Sequence, residues 1–349
     1  MTCVRAIAVA VAVAAAFAAG PATADAVDDI MTAAQQRDGI PGLALLVMRH
    51  GQVARIGTYG YANVEHHVPV SPGTMFQSGS LGKQFTAAAV LLLAERGKLA
   101  LGDRIDKYLP AGPKGWEAIT IRHLLDHTSG IRDSEGSPPI FDYRRDYSDD
   151  EIIRLAQSYP LEFPIGSRWK YNNTGYILAG IIVTRVTGMF YGDFLTREFF
   201  QPLGMRTARV ISDTDIVANR AAGYVRTATG IRNQDFVAPT LNATADGSLY
   251  LSLEDWRAWI EALDREAVLS RASFETLWGT DKHGYGWDHA TVSGHAVLEF
   301  DGSWQGFRTA IERDPASQLT VVVLANLAEA GPDRIAREVI ATTAGFARP

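Results

Sequence analysis

Ser80 lies three residues before Lys83, at the start of an apolar segment (QFTAAAVLLLAE, residues 84–95) that predicts a helix. On a helix, residues three apart share one face and lie about 5–6 Å from each other, so the Lys83 amine can reach the Ser80 hydroxyl. A neutral lysine held there could act as the base that makes the serine nucleophilic. The same pattern also fits a structural role, in which Ser80 caps the helix and Lys83 is a solvated surface charge.

The first 24 residues have the composition of a secretory signal. Arg5 supplies a positive charge, residues 6–19 form an apolar run of 14 residues, and small-residue cleavage sites follow at Ala24 and Ala26. This run is shorter than the roughly 20 residues needed to span a bilayer, which favours a cleaved signal over a membrane anchor. We therefore expect residues 25–349 to be periplasmic or secreted, with no stable membrane span.

Composition excludes several classes of function. Cys3 is the only cysteine and lies within the predicted signal, so the mature chain would have no disulfide, thiolate nucleophile or cysteine-bound metal. The net charge is −6 and there is no basic run, which argues against nucleic-acid binding. His123 and His127 have a metal-ligand spacing, but the glutamate of a His-Glu-x-x-His motif is missing, so we expect no metal and no cofactor.

Hydrophobic patterning predicts strands near both ends of the chain and helices between them. Predicted strands cover residues 42–48, 52–59, 296–300, 307–313 and 319–324. Predicted helices cover residues 27–37, 86–96, 121–125, 149–157, 176–187, 190–199, 254–263 and 334–343. These elements predict an α+β fold, in which terminal helices flank one antiparallel sheet from about residues 27–75 and 295–345, and a mostly helical region at about 100–250 is inserted.

Short sequence blocks occur in a defined order along the chain: FQSGSLGK (76–83), IRHLLDHTSG (121–130), PIG (164–166), YNNTGY (171–176), PLGM (202–205), ADGS (245–248) followed by Asp255, and GSWQGF (302–307). In content and order they resemble the serine β-lactamase and penicillin-binding superfamily, specifically its class C β-lactamase-like branch. The resemblance covers roughly residues 28–345. It implies an α/β/α sandwich plus an all-helical region, with the active site at their junction, in one catalytic domain that begins at residue 25.

The resemblance also implies a role for individual residues. Ser80 would be the nucleophile that forms an acyl-enzyme, and Lys83 would be kept neutral by burial and by nearby positive charge. Tyr171 would share the proton transfers, and whether Lys83 or Tyr171 is the base stays open. Asn173 would hydrogen-bond Lys83 and the substrate amide. The backbone N–H groups of Ser80 and Ser303 would form the oxyanion hole.

The C-terminal block would form the substrate-facing edge of the site. Gly302 has no Cβ and would let substrate lie against its strand, and Trp304 would line the cleft. The family usually has Lys or His two residues before this glycine, whereas this chain has Phe300. This change disfavours β-lactams and D-alanyl peptides, because the missing group normally faces the substrate carboxylate. Asp301 would add negative charge, which tends to raise the pKa of Lys83.

Together these observations predict an exported serine hydrolase that cleaves amide or ester bonds of a small-molecule or peptide substrate. Phe300 favours a broad amidase or esterase over a dedicated β-lactamase. The alternative is a catalytically impaired binding protein of the cell envelope that retains the fold. Tyr143, Tyr147, Trp169 and Trp287 are further candidates for a cleft wall, with core packing as the alternative. The physiological substrate and the oligomeric state stay open.

Overall fold

A computed structural model describes residues 21–211, 214–280 and 282–345. Most of the predicted signal segment therefore lies outside the described residues. The α-helices are α1 (Pro21–Asp38), α2 (Lys83–Glu95), α3 (Ile121–Leu125), α4 (Asp149–Gln157), α5 (Asn173–Thr187), α6 (Tyr191–Leu195), α7 (Gln201–Leu203), α8 (Leu253–Arg265), α9 (Arg271–Trp278) and α10 (Pro332–Ala344). The strands are β1 (Gly42–Arg49), β2 (Gln52–Asn63), β3 (Val68–Pro69), β4 (Phe76–Gln77), β5 (Arg209–Val210), β6 (Tyr224–Thr227), β7 (Gly230–Asn233), β8 (Leu249–Leu251), β9 (Asp288–Val292), β10 (His295–Trp304), β11 (Phe307–Asp314) and β12 (Leu319–Ala325).

The main sheet is built from both ends of the chain. Its strand order is β3-β2-β1-β12-β11-β10-β9, and every neighbouring pair is antiparallel. The N-terminal and C-terminal strands join where β1 pairs with β12, from Leu43 opposite Ala325 to Arg49 opposite Leu319. The predicted antiparallel sheet is thus confirmed.

Helices cover both faces of this sheet. Leu45 and Val323 are paired across β1 and β12 and pack in one core with α1 and α10. The next pair, Leu46 and Val322, packs in the core on the opposite face, together with Phe85 of α2 and the helix α8. Successive residues of a strand point to opposite faces, so the continuous apolar sequences of β1 and β12 are explained by burial on both sides.

The inserted helical region packs on the far side of α2. Its central element is α5, which is buried over residues 173–183 and contacts α2 and α3. Gly188 ends this helix with a positive φ of 69°, which glycine adopts readily. Among the described residues no single helix is long and apolar enough to cross a membrane, although Asn173–Thr187 and Tyr191–Leu203, bent by 74°, meet that test as a pair.

One predicted helix end was wrong. The helix predicted at 190–199 continues to Leu203 as α6, a π-helical turn (Thr196–Phe200) and α7. Pro202 lies in the first turn of α7, where its missing N–H is tolerated.

The prediction also omitted helix α9, strand β9 and the short strands β3 to β8. Only one residue in five of β9 is buried, so its hydrophobic signal is weak.

Candidate active site

A single 3₁₀ turn, Gly79–Gly82, carries Ser80 and leads directly into α2. The turn lies against strands β10 and β11 of the main sheet, where Thr309 of β11 donates a 2.6 Å hydrogen bond from Oγ1 to the Ser78 carbonyl. A Cβ at Gly302 of β10 would overlap that same carbonyl oxygen. The sheet therefore holds the turn that presents the serine.

The Lys83 side chain is fully buried beneath Ser80. Its Nζ lies 3.1 Å from Ser80 Oγ, 2.7 Å from Asn173 Oδ1 and 2.6 Å from the Asp246 carbonyl oxygen. An ammonium has three protons to donate, and these three acceptors match them. In the neutral amine one contact reverses, since the Ser80 hydroxyl can then donate to the free lone pair. The hydrogen bond predicted between Lys83 and Asn173 is present.

Tyr171 lies on the other side of the serine. Its hydroxyl hydrogen-bonds with Ser80 Oγ, and its ring centroid lies 4.8 Å from Lys83 Nζ. The buried His127 ring packs 4.8 Å from the Tyr171 ring. His127 Nδ1 also accepts a 3.1 Å hydrogen bond from the backbone N–H of Asn172. Asn172 caps α5, so the start of this helix positions the tyrosine.

The electrostatic environment distinguishes the two proton carriers. Burial lowers the pKa of Lys83 to about 8, against the opposing effect of the Asp246, Asp133 and Glu135 carboxylates. Burial raises the pKa of Tyr171 well above 10. The lysine amine is therefore the group that loses its proton near neutral pH, while the tyrosine keeps its own.

Two expectations about Lys83 were wrong. Burial is the effect that lowers the pKa of Lys83, and the charges that act on it most strongly are three carboxylates, which raise it. Nearby positive charge therefore does not account for the lowered pKa. Asp301 is not among those carboxylates; it lies on the exposed side of β10, with one carboxylate oxygen 3.7 Å from Arg308. Desolvation alone thus opposes the charged form of the lysine.

A cavity of about 280 Å³ opens in front of Ser80. Its walls are formed by Ser80, Glu135, Tyr171, Asn173, Asp246, Asp288, Phe300, Asp301, Ser303 and Trp304. The sequence had identified most of the apolar and hydroxyl-bearing members of this wall. Asp246 lies in the ADGS block but was assigned no role there, and Glu135 and Asp288 were missed, since a loop and the unpredicted strand β9 bring them in from distant parts of the chain.

Gly302 is not among the residues that line this cavity, although its lack of a Cβ does allow a close approach to its strand. The close approach comes from the nucleophile turn, because a Cβ on Gly302 would overlap Ser78 and lie 3.0 Å from the backbone nitrogen of Ser80. In the same way, a Cβ on Gly79 would lie 2.5 Å from the backbone nitrogen of Ser303. The N–H groups of Ser80 and Ser303 therefore belong to two backbone segments in direct contact.

The aromatic candidates have different positions. Trp304 lines the cavity, and its indole N–H donates a 2.9 Å hydrogen bond to the buried Asn242. Trp169 stacks on His283 with ring centroids 3.9 Å apart. Trp287 is fully buried, and Tyr143 packs partly buried against the core.

Tyr147 lines a second cavity, of about 420 Å³, together with Thr184, Tyr191 and other residues. None of the groups bonded to Ser80 lines this second cavity.

The two histidines with metal-ligand spacing have separate intramolecular partners. His123 Nδ1 accepts a 3.1 Å hydrogen bond from the backbone N–H of Thr120, in the capping box of α3. His127 packs against Tyr171, as described above. No group of three or more potential metal ligands was found in the part of the chain that the structure describes.

Known proteins resemble this chain over most of its length. Penicillin-binding protein 4* of Bacillus subtilis is 28% identical over 312 residues, covering 82% of this chain and 68% of that protein. The D-aminopeptidase of Cereibacter sphaeroides is 30% identical over 347 residues, covering 93% of this chain and 64% of that protein. The chain thus spans about two thirds of the length of these relatives.

Solved structures share the fold. The octameric penicillin-binding protein homologue from Pyrococcus abyssi superposes with a TM-score of 0.81 and 26% identity, covering 93% of this chain and 78% of that one. The D-amino acid amidase from Ochrobactrum anthropi SV3 gives a TM-score of 0.81 at 23% identity, covering 93% and 99%. The β-lactamase family model matches residues 27–344, and this protein therefore belongs to the β-lactamase family of serine hydrolases, within the serine β-lactamase and penicillin-binding superfamily.

Proposed function

We propose that this chain is an exported hydrolase of the class C β-lactamase-like branch, which cleaves amide or ester bonds through an acyl-Ser80 intermediate. The observation that carries the proposal is the position of Ser80 Oγ between two proton carriers, 3.1 Å from Lys83 Nζ and in hydrogen-bond contact with the Tyr171 hydroxyl. A nucleophile flanked by a base and a second proton carrier is the arrangement required for covalent acyl transfer.

In the proposed mechanism Lys83 acts as the base in the free enzyme. The neutral amine takes the Ser80 hydroxyl proton while Oγ bonds to the substrate carbonyl carbon, and the backbone N–H groups of Ser80 and Ser303 stabilise the resulting oxyanion. Collapse of the tetrahedral intermediate breaks the bond to the leaving amine or alcohol, which receives a proton through the Tyr171 hydroxyl. Water then attacks the acyl group by the reverse route and releases the acid.

Two observations favour a general amidase or esterase over a β-lactamase. Phe300 lines the cavity where the family usually has a cationic or hydrogen-bonding side chain, so a substrate carboxylate would lack its partner. The D-aminopeptidase relative supports amide substrates. Phe300 leaves the contacts among Ser80, Lys83 and Tyr171 in place, so nothing in these contacts favours the alternative of an impaired binding protein.

We expect brief exposure to a neutral 4-nitrophenyl ester to add one acyl group to the protein, located on Ser80, because this serine is the proposed nucleophile. Intact-mass spectrometry with peptide mapping measures the adduct. Ser80→Ala should abolish it and lower the rate of ester cleavage about a thousandfold or more. Exposure to a penicillin in parallel tests whether Phe300 excludes β-lactams. A Ser80→Ala variant that cleaves the ester at the original rate would rule out this mechanism.

We expect kcat/KM for a neutral ester to rise with pH and to level off above about pH 8. The folded-state pKa of Lys83 is lowered to about 8, so the reactive neutral amine accumulates as the pH rises through that value. Steady-state kinetics from pH 6 to 10 measure the profile. Tyr171→Phe should lower the plateau and keep the inflection. A profile that is flat over this range, or an inflection lost in Tyr171→Phe, would contradict Lys83 as the base.

We propose that residues 1–24 direct export to the periplasm or the medium and are then removed. The apolar run after Arg5 and the small residues before Asp25 support this. Expression of the full chain in a Gram-negative host should give a mature protein that begins at Asp25 or Val27, as measured by N-terminal sequencing of the periplasmic and secreted fractions. Recovery of protein only in the cytosol, still beginning at Met1, would refute export.

A further inference from the structure

The loop that follows α3 holds the beginning of α5, the helix that carries Asn173. The first N–H groups of a helix have no partner within it, and side chains of this loop accept hydrogen bonds from two N–H groups at the start of α5. The Asn172 N–H donates a 3.1 Å hydrogen bond to His127 Nδ1, and the Asn173 N–H donates a 2.9 Å hydrogen bond to Asp133 Oδ1. The start of α5 is therefore fixed from outside the helix.

Two further hydrogen bonds join the same two segments. Asn172 Nδ2 donates to the Ile131 carbonyl at 2.7 Å, and Thr174 Oγ1 donates to the Arg132 carbonyl at 2.8 Å. Three successive residues of the loop thus each bind one residue at the start of α5.

Asp133 differs from the other partners of this helix start because it carries a charge. Hydrogen bonds to a carboxylate are shorter and stronger than those between neutral groups. His127, by contrast, is neutral near pH 7, because burial lowers its pKa to about 3. The bond from Asn173 to Asp133 is therefore the charge-assisted member of the set.

This bond controls the position of a group that contacts the lysine. Asn173 is buried, its Oδ1 accepts a 2.7 Å hydrogen bond from Lys83 Nζ, and it lines the cavity in front of Ser80. Because Asp133 holds the backbone of Asn173, movement of that backbone would displace the amide from the amine. A displacement of about 1 Å near the reacting atoms can cost about a hundredfold in rate.

Asp133 itself is not among the residues that line the cavity. Its carboxylate also acts on the lysine by charge: together with Asp246 and Glu135 it opposes the loss of the Lys83 proton, and so raises the pKa that burial lowers. Asp133 thus has one effect through position and one through charge, and different substitutions separate the two.

We propose that Asp133 is a positioning residue for acyl transfer, whose carboxylate fixes the backbone of Asn173 and thereby keeps the Lys83 amine in place beneath Ser80. This inference rests on the proposed acyl-serine function and adds to it a residue that acts through Asn173 rather than on the substrate.

Two substitutions separate position from charge. Asp133→Ala removes both the acceptor and the charge, whereas Asp133→Asn keeps a carbonyl oxygen that can accept the Asn173 N–H and removes only the charge. With a neutral 4-nitrophenyl ester, Asp133→Ala should lower the plateau of kcat/KM at high pH about 10- to 100-fold, and Asp133→Asn should retain most of it. Both should move the inflection below about pH 8, because a negative charge that raises the pKa of Lys83 is lost.

A third substitution keeps the charge and moves the acceptor. Asp133→Glu extends the side chain by one methylene group, so we expect a lowered plateau with an inflection that stays near pH 8. It repeats the test in a variant that retains the carboxylate, should Asp133→Ala fail to fold. Thermal melting of each variant measures folding separately from rate.

A double-mutant cycle tests whether Asp133 acts through Asn173. In an Asn173→Ala background, Asp133→Ala should lower the plateau much less than it does in the unmodified protein, because the group that it positions is already absent. The matched control is Asp142→Ala, since Asp142 accepts a 3.0 Å hydrogen bond from the backbone N–H of Arg144 in an exposed part of the chain. This control should leave the plateau and the inflection unchanged.

The outcomes separate the positioning role from the acyl-serine function. An unchanged plateau in Asp133→Ala and Asp133→Glu, an equal loss in Asp133→Asn and Asp133→Ala, or additive losses in the cycle with Asn173→Ala would each overturn the positioning role, while acylation of Ser80 still stands. Failure of the neutral ester to acylate Ser80 in the unmodified protein would overturn the acyl-serine function, and this inference with it.

Discussion

Burial of the Lys83 amine is the constraint on which the rest of the site depends. A cation removed from water is unstable unless hydrogen bonds replace its hydration, and here the replacements come from three separate parts of the chain. Ser80 is held by the sheet, Asn173 begins α5, and the Asp246 carbonyl lies on a loop of the inserted region. The lysine can occupy this place only where the sheet and the helical region meet, so the fold and the chemistry are coupled at one nitrogen.

The charges near this nitrogen balance two requirements. Burial pushes the lysine towards its neutral, reactive form, whereas Asp246, Asp133 and Glu135 favour the charged form and keep its pKa at about 8. A more acidic surround would make the free amine scarcer at neutral pH. Two of these carboxylates, Asp246 and Glu135, also line the cavity in front of Ser80.

The sequence predicted local relationships better than long-range ones. The contact of Ser80 with Lys83 follows from helical spacing, and the paired strands β1 and β12 follow from their apolar runs. Asn173 and Tyr171 were found only through family resemblance, since 90 residues separate Asn173 from Lys83. Glu135 and Asp288 gave no signal, because they lie in a loop and a short strand without a motif. Asp246 lies in the ADGS block, but that block carried no predicted role for its carboxylate, so the acidic surround of Lys83 was also missed.

The most direct test of this account is the pKa of Lys83 itself, measured by NMR on protein with isotope-labelled lysine. The chain contains six lysines, and loss of one signal in Lys83→Gln assigns the resonance. The account predicts that the Lys83 side chain titrates near pH 8, well below an ordinary lysine at about 10.4. Titration of Lys83 at about pH 10.4 would mean that the amine is charged under working conditions, and would contradict its role as the base.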